Sequence, residues 1–461
     1  MHSGNSSKAN RLSFDHIGSR EVLGLAWPII VSMLSYTAMT AVNAIWVAKL
    51  GMTEVAAVGL AAVAVFILQG FGAGVLAGVK ITVATATGAG DDDDARALGL
   101  QGVTVALALG LGAVALSPAG DLVMSALGAS PATHEHGATY FTFRALGLPF
   151  AFVMYALTQY MQGRGDTRGP MIAMIATNVA NALLDPAFIW GFGPIPAMGV
   201  KGCAIATSLS FGLGALWLAV AVWRDLGGLP RVVDRSRVGR IVALGAPLGL
   251  RAALEITSFA VFAAILSSVG DDHVAAHVMV VRVLSVSFLP GHAVGEATAV
   301  MVGQAMGAGR RDALAAIRAA ANRVAMTAMG VCAVVFVLVP GALLGIFDPT
   351  PEVLAIAIPV MYVAAGFQIV DAVAMVAQGF LNGVGDTRYV MLSGVVVAWL
   401  VKLPLGYALA NTLGMGAVGA WVGLTAEVVV IAWLVRRRIV LGRWERAAAP
   451  ARQPELVAAF E

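Results

Sequence analysis

Charged residues are scarce in this 461-residue chain: Asp, Glu, Lys and Arg make up 12% of it, against 59% hydrophobic residues. A soluble domain carries about 25% charged residues, so the composition excludes a water-soluble fold. Cysteine is scarcer still, and Cys203 and Cys332 have neither CxxC nor Cys/His spacing. Two cysteines without such spacing exclude a disulfide framework and a cysteine metal site. We expect no metal, cofactor or nucleic-acid partner.

Long apolar runs fill most of the chain, and each is long enough to cross a hydrocarbon core about 30 Å thick. The first run begins near Val22 and continues past Ile45, which is longer than the core of a signal peptide. Breaking the runs at Gly, Pro and charged clusters predicts spans at 24–47, 55–80, 97–118, 139–162, 170–191, 203–223, 241–269, 274–303, 317–340, 354–380, 389–411 and 417–436. The predicted fold class is an all-α polytopic membrane protein with twelve transmembrane helices.

Basic residues are concentrated in alternate loops. An even number of spans puts both termini on one side, together with Arg96, Arg164 and the arginine cluster at 224–240. The opposite loops hold little beyond Lys49 and Lys201. Because cytoplasmic loops carry the Lys/Arg excess, we expect both termini to be cytoplasmic and the protein to lie in the cytoplasmic membrane.

A repeat divides the chain into two halves. MQGRGDTR at 161–168 and LNGVGDTR at 381–388 share Gly-x-Gly-Asp-Thr-Arg and lie 220 residues apart (381 − 161), and Pro28 and Pro247 lie 219 apart (247 − 28). Two six-span halves enter the membrane in the same orientation, so an axis along the membrane normal relates them. The predicted organisation is a cytoplasmic amino-terminal segment (1–20), an N-lobe (21–224), a cytoplasmic linker (225–240), a C-lobe (241–438) and a cytoplasmic tail (439–461).

Several segments resemble the multidrug and toxic compound extrusion (MATE) family of transporters. They are AWPII at 26–30, NALLDPAFIWGF at 181–192, MVGQAMGAG at 301–309 and QGFLNGVGDTR at 378–388, within a similarity that covers roughly residues 20–440. The resemblance implies a monomeric transporter, not an enzyme, that exports organic and often cationic compounds from a cleft between two lobes. Export would be coupled to the entry of H⁺ or Na⁺.

Ionisable side chains inside membrane spans are costly and are functional candidates. Asp185 has the most suggestive surroundings, because Asn178, Asn181 and Asp185 occur at i, i+3 and i+7, along one stripe of a helix. Pro186 follows directly and removes a backbone donor. The stripe resembles the amino-lobe proton and sodium site of DinF-like relatives. The alternative is a protonated carboxyl that merely caps the break at Pro186.

The first span departs from the family pattern. Many relatives carry an acid in a D-T-x-M-x-G pattern where this chain reads AVNAIWVAKLG, with Asn43 at the acidic position. An amide can hydrogen-bond but cannot titrate. Proton coupling in the N-lobe would therefore depend on Asp185 alone, and a sodium site with a single carboxylate is less favoured.

Two acids of the second half, Glu255 and Asp371, resemble carboxyl-lobe acids of NorM-like relatives, so the chain mixes DinF-like and NorM-like features. The repeat equates them with Tyr36 and Phe152 at an offset of 219, so neither acid is duplicated. Arg251, four residues before Glu255, and Arg282 in the next span could neutralise them instead, as an intramembrane ion pair without a transport role. Further intramembrane charges of open role are Arg282, Glu296, Lys402 and Glu427.

Cleft candidates are Tyr36 and Trp46 in span one and Arg282 in span eight. GDDDDAR at 90–96 resembles one aspartate-rich Mg²⁺ motif of a membrane-embedded prenyltransferase. That chemistry needs a second facing cluster, and the repeat counterpart reads GRRDAL, so a loop is favoured.

The sequence thus predicts an antiporter that exports organic, cationic xenobiotics in exchange for a cation. The favoured coupling ion is H⁺, and Na⁺ is less favoured. A flippase for lipid-linked precursors and an embedded prenyltransferase-like enzyme remain alternatives.

Overall fold

A computed structural model describes residues 12, 14, 16–227 and 232–448. Residues 1–11, 13 and 15 of the predicted amino-terminal segment, residues 228–231 of the linker and the tail beyond 448 lie outside the described residues. In the described part of the chain, twelve helices are long and apolar enough to span a membrane, which confirms the predicted number of spans. They are α1 (Ser19–Ala48), α2 (Met52–Ala89), α3 (Asp92–Leu116), α4 (Pro131–Gly163), α5 (Arg168–Trp190), α6 (Gly199–Leu226), α7 (Arg235–Ser267), α8 (Asp271–Gly307), α9 (Ala313–Leu338), α10 (Pro351–Gly383), α11 (Thr387–Thr412) and α12 (Gly416–Val440).

Most helix ends lie within eight residues of the predicted span boundaries, but two of the helices differ further. Helix α2 continues nine residues past the predicted end at Lys80, because Lys80 is buried rather than at an aqueous boundary. Helix α11 is not regular, since π-helical turns occupy Ala398–Lys402 and Ala408–Thr412 on either side of a short α-helix at Leu403–Tyr407.

The chain forms two compact units. Unit 1 comprises Leu23–Ala260 with Gly307–Gly309, and unit 2 comprises Val261–Met306 and the chain from Arg310 onward, with Ile17–Val22. Unit 1 therefore contains most of α7, which the repeat assigns to the second half. The predicted lobes follow the duplication, whereas the units follow packing.

The fourth helix of each repeat is central to its unit. Helix α4 packs against α2, α3 and α6, and α10 packs against α9 and α12. Around these cores large apolar side chains face outward, and Leu111, Leu183 and Leu400 are each 69% exposed. A water-soluble protein does not expose apolar surface on this scale, so these residues fit a lipid-facing surface.

Glycines allow α2 and α7 to pack backbone against backbone inside unit 1. A Cβ atom added at Gly245 would lie 1.8 Å from the Val75 carbonyl oxygen, and one added at Gly78 would lie 2.1 Å from that of Ile241. Gly74 and Gly249 meet in the same way one turn further along. Small residues at such spacing let membrane helices approach closely, which explains why α7 belongs to unit 1.

Hydrogen bonds attach the linker before α7 to unit 1. The Gln101 amide donates to the Val232 carbonyl at 2.9 Å and accepts from the Asp234 backbone N–H at 3.2 Å. The Asp234 carboxylate in turn accepts from the backbone N–H groups of Ser236 and Arg237 at the start of α7. The N–H of Arg237 holds the pKa of Asp234 below its usual range. These contacts fix where α7 begins.

Candidate ion-coupling site

The Asp185 carboxyl group is fully buried, five residues before the end of α5. Asn181 lies one turn earlier on the same face, is also fully buried, and its amide donates to Asp185 Oδ1 at 3.2 Å. Helix α5 continues through Pro186 without a break. The structure therefore brings together two members of the predicted stripe.

Asn43 reaches the same carboxyl group from α1. Amide orientations follow from hydrogen-bond partners, and the satisfied orientation turns the Asn43 nitrogen toward the acid. It then donates to Asp185 Oδ2 at 2.7 Å and to Asn181 Oδ1 at 2.6 Å, while its oxygen accepts from Thr207 Oγ1 of α6 at 3.1 Å. Three helices thus converge on one carboxylate.

The third member of the predicted stripe lies elsewhere. The Asn178 amide donates to the Ser35 hydroxyl of α1 rather than to Asp185. Thr207, which no sequence pattern indicated, takes the remaining place in the network and also approaches Asn181 at 3.5 Å. Only the fold brings a hydroxyl of α6 to this point.

A second polar network surrounds a buried arginine of α4, Arg144, which is 5% exposed. Its guanidinium donates to Gln69 Oε1 at 3.3 Å, and the Gln69 amide nitrogen donates to the hydroxyls of Tyr36, at 3.2 Å, and of Tyr155. Among the described residues no carboxylate lies at salt-bridge distance from Arg144. Arg144 lies five residues inside the predicted span at 139–162, so the criterion that selected the acids would have selected it.

The predicted cleft residue Trp46 packs within unit 1. Its ring meets Trp190 edge-on at 5.3 Å between centroids, and the Lys49 ammonium lies 4.4 Å from its ring centre. These contacts hold the indole in place near the end of α1.

The candidates of the second half divide between the two units. Glu255 lies in unit 1, where Arg251 Nε approaches its carboxylate at 3.4 Å. Asp371 lies in unit 2, 7% exposed and one turn after Gln368, whose amide donates to the Ser287 hydroxyl. Arg282 is exposed on α8. The arginine that could neutralise Glu255 is therefore in contact with it.

Lys402 and Glu427 meet inside unit 2, where Lys402 Nζ lies 3.3 Å from Glu427 Oε2. Lys402 is fully buried and Glu427 is 7% exposed. Because they lie on α11 and α12, sequence spacing gave no sign of the contact.

The aspartates of the GDDDDAR run at 90–96 form a helix cap and salt bridges within the protein. Asp91 caps α3 by accepting from the Asp94 backbone N–H at 2.8 Å. Asp92 binds Arg164 at 2.7 Å, and Asp94 binds Arg237 at 2.8 Å. The run thus joins α3 to the end of α4 and to the start of α7, which is the loop role favoured by the sequence.

The two GDTR loops are not used identically. Asp166 accepts from the backbone N–H groups of Arg168 and Gly169, both at 3.0 Å, and so caps α5. Asp386 instead binds Arg438 at the end of α12, at 2.8 Å. The repeated GDTR motif therefore supports a different contact in each half.

Comparison with known proteins agrees with this architecture. The MatE family model matches residues 28–187 and 247–408. The chain is 30% identical to the "Probable multidrug resistance protein NorM" of Mesorhizobium japonicum, over 91% of this chain and 94% of that one. It is also 30% identical to the multidrug resistance protein NorM of Burkholderia vietnamiensis, over 92% and 94% of the two chains.

A solved structure shows the same fold. A MOP superfamily transporter from Pyrococcus furiosus, described as having a binding pocket of reversed polarity, superimposes with a TM-score of 0.87 at 20% identity. The match covers 97% of this chain and 99% of that one. With the two matched repeats and twelve spans, these findings assign the chain: it belongs to the MATE family of multidrug efflux transporters, and it is a transporter rather than an enzyme.

Proposed function

We propose that this protein exports organic, chiefly cationic, compounds across the cytoplasmic membrane in exchange for protons, with Asp185 as the proton carrier. The observation that carries the proposal is the chemistry around this carboxyl group. It is fully buried and its hydrogen-bond partners are neutral amides. Within the described residues no Lys, Arg or His nitrogen lies at salt-bridge distance from it. A proton gained or lost there therefore changes the charge of the site by a full unit.

The two amides allow either protonation state. With Asp185 ionised, the Asn43 and Asn181 nitrogens donate to its two oxygens. With Asp185 protonated, its Oδ2 hydroxyl can donate to the Asn43 oxygen once the Asn43 amide turns, because an amide presents a donor on one side and an acceptor on the other. The Asn43 nitrogen then donates to Thr207 Oγ1 at 3.1 Å, and the Asn181 nitrogen still donates to Asp185 Oδ1. The exchange therefore needs no loss of packing.

Antiport follows if the proton and the substrate stabilise different conformations. A ligand shifts a conformational equilibrium only by its differential affinity for the two states. An ionised Asp185 attracts an organic cation and a protonated one does not. Sodium is the less favoured coupling ion, because Asn43 replaces a second carboxylate.

Uptake of a fluorescent organic cation into everted membrane vesicles tests this function. We expect uptake to require the proton gradient, to stop when an ionophore collapses that gradient, and to be the same in sodium-free buffer. Vesicles with an equal amount of the Asp185→Asn variant are the control. Uptake that needs sodium or ignores the proton gradient would contradict proton coupling. Movement of a labelled lipid-linked precursor without any organic cation would favour the flippase alternative.

We also propose that both termini and the linker at 225–240 are cytoplasmic, on the grounds of the arginine excess there. We therefore expect a membrane-impermeant thiol reagent added outside intact cells to label Asp272→Cys, at the start of α8, and to miss Ser236→Cys, at the start of α7. Both variants should be labelled equally after the cells are opened. The reverse pattern in intact cells would invert the topology.

A further inference from the structure

The buried pair of Lys402 and Glu427 has no role in the proposed mechanism. The ammonium and the carboxylate lie 3.3 Å apart, with Lys402 fully buried and Glu427 7% exposed. Charged groups taken out of water are costly unless paired, and those inside membrane spans are candidates for function. A pair in this position needs an explanation beyond packing.

The backbone of α11 is unusual at this point. Lys402 ends the π-helical turn at Ala398–Lys402, and Pro404, two residues later, cannot donate a backbone hydrogen bond. Short π-helical turns are rare and occur frequently at functional sites. The corresponding helix of unit 1, α5, is regular throughout.

The repeat places this pair where unit 1 holds its carboxylate. Pro186 corresponds to Pro404 (404 − 186 = 218), so Asp185 corresponds to Leu403, directly after Lys402. On the last helix of each repeat, Met198 corresponds to Met415 (415 − 198 = 217), so Thr207 corresponds to Leu424.

Glu427 lies three residues after Leu424 and therefore on the same face of α12. Lys402 and Glu427 thus lie at the level of their two helices at which Asp185 and Thr207 belong to one hydrogen-bond network in unit 1.

The neutral partners of unit 1 are absent from the corresponding place in unit 2. Asn43 corresponds to Phe262 (262 − 43 = 219), which is fully buried and packs against the ring of His277 at 5.4 Å. His277 in turn meets Trp421 of α12 at 5.9 Å. The phenyl ring of Phe262 cannot supply the hydrogen bonds that the Asn43 amide supplies in unit 1, whereas Glu427 has the Lys402 ammonium beside it.

We propose that Lys402 is a built-in counter-cation. Its ammonium takes the place that a proton or a small monovalent cation from solution would otherwise take beside Glu427. The site in unit 2 is thereby held in one charge state, and exchange with solution is left to unit 1. Only the statement that unit 1 exchanges protons with solution rests on the function proposed for Asp185. The pairing itself predicts that removing the ammonium creates a new proton-binding carboxyl group in unit 2.

Infrared spectroscopy of the purified protein tests this directly, because a protonated carboxyl group has a carbonyl band that a carboxylate lacks. We expect the Lys402→Met variant to show a band that grows as the pH falls from mildly basic to mildly acidic. The band should be missing from the Lys402→Met/Glu427→Gln double variant and from the parent. Other titratable groups on the helices packed here, His277, Asp371 and Tyr407, are unchanged in every sample, so the double variant subtracts their contributions.

The outcomes separate clearly. A titrating band in the parent that the double variant lacks would show that Glu427 exchanges protons already, which would overturn the proposal. Lys402→Met protein that folds without a new band would also overturn it. If Lys402→Met does not fold, the double variant must, because it leaves no unpaired charge; equal failure of both would refute the pairing. No arm measures transport, so a failure at Asp185 leaves this test intact.

Discussion

Replacing Asp185 with Asn should remove the proton-driven component of transport and flatten its pH dependence. An asparagine keeps the size and hydrogen-bonding capacity of the protonated acid but cannot release a proton. The neighbouring Asn43 and Asn181 are amides as well, so no group left in this network can titrate. We expect gradient-driven uptake at or below about a tenth of the parent rate, which corresponds to an activation barrier higher by ~1.4 kcal/mol or more.

Two variants serve as controls for this result. Asn43→Ala removes one hydrogen bond to Asp185 and should weaken uptake while leaving its pH profile in place, since the carboxyl group remains. Asp371→Asn makes the same change at Asp371, the acid of unit 2 that resembles a carboxyl-lobe acid of NorM-like relatives. If Asp185→Asn protein transported normally with an unchanged pH profile, and Asp371→Asn protein did not, coupling would lie in unit 2 and the mechanism above would be wrong.

The second large effect concerns stability rather than coupling. Gly245→Ala should force α2 and α7 apart and destabilise the protein, because the added Cβ atom would lie 1.8 Å from the Val75 carbonyl oxygen. The obstacle is backbone, which cannot turn away as a side chain could. Overpacking of this kind typically costs about 1–3 kcal/mol and occasionally more. We expect a clearly lower melting temperature in detergent and a smaller yield of monodisperse protein.

A matched substitution is available on α9. Nothing lies within 4 Å of a Cβ atom added at Gly330, so Gly330→Ala should be neutral, or stabilising by up to about 1 kcal/mol from the higher helix propensity of alanine. Equal melting temperatures for the two variants would mean that the close approach of α2 and α7 is not needed for folding.

Sequence reasoning reached the twelve spans because span length is set by bilayer thickness, and it reached the repeat because prolines and glycines recur at a nearly constant offset. It also paired Asn181 with Asp185, since four residues make one helical turn. It could not place Thr207 beside them, because the approach of α6 to α5 is a tertiary contact. The contact of Lys402 with Glu427 is also tertiary, so sequence spacing could not indicate it.

Two further features show how far helical spacing can be used. Asn178 satisfied the helical spacing, yet its amide bonds to Ser35, because a stripe on a helix can face two different neighbours along its length. Arg144 lies five residues inside the predicted span at 139–162, so its position in the sequence was enough to place it beside the other intramembrane charges.

The glycine contact between α2 and α7 also bears on how such a protein arose. The duplicated segment ends before α7, yet α7 packs on α2 through Gly245 and Gly249, and on the backbone that Gly74 and Gly78 leave open. A single ancestral repeat with the same glycines would have carried a groove on its second helix that no helix of its own covered. Such an ancestor would have needed another copy of itself from the beginning, so gene fusion would have joined partners that were already dependent on one another.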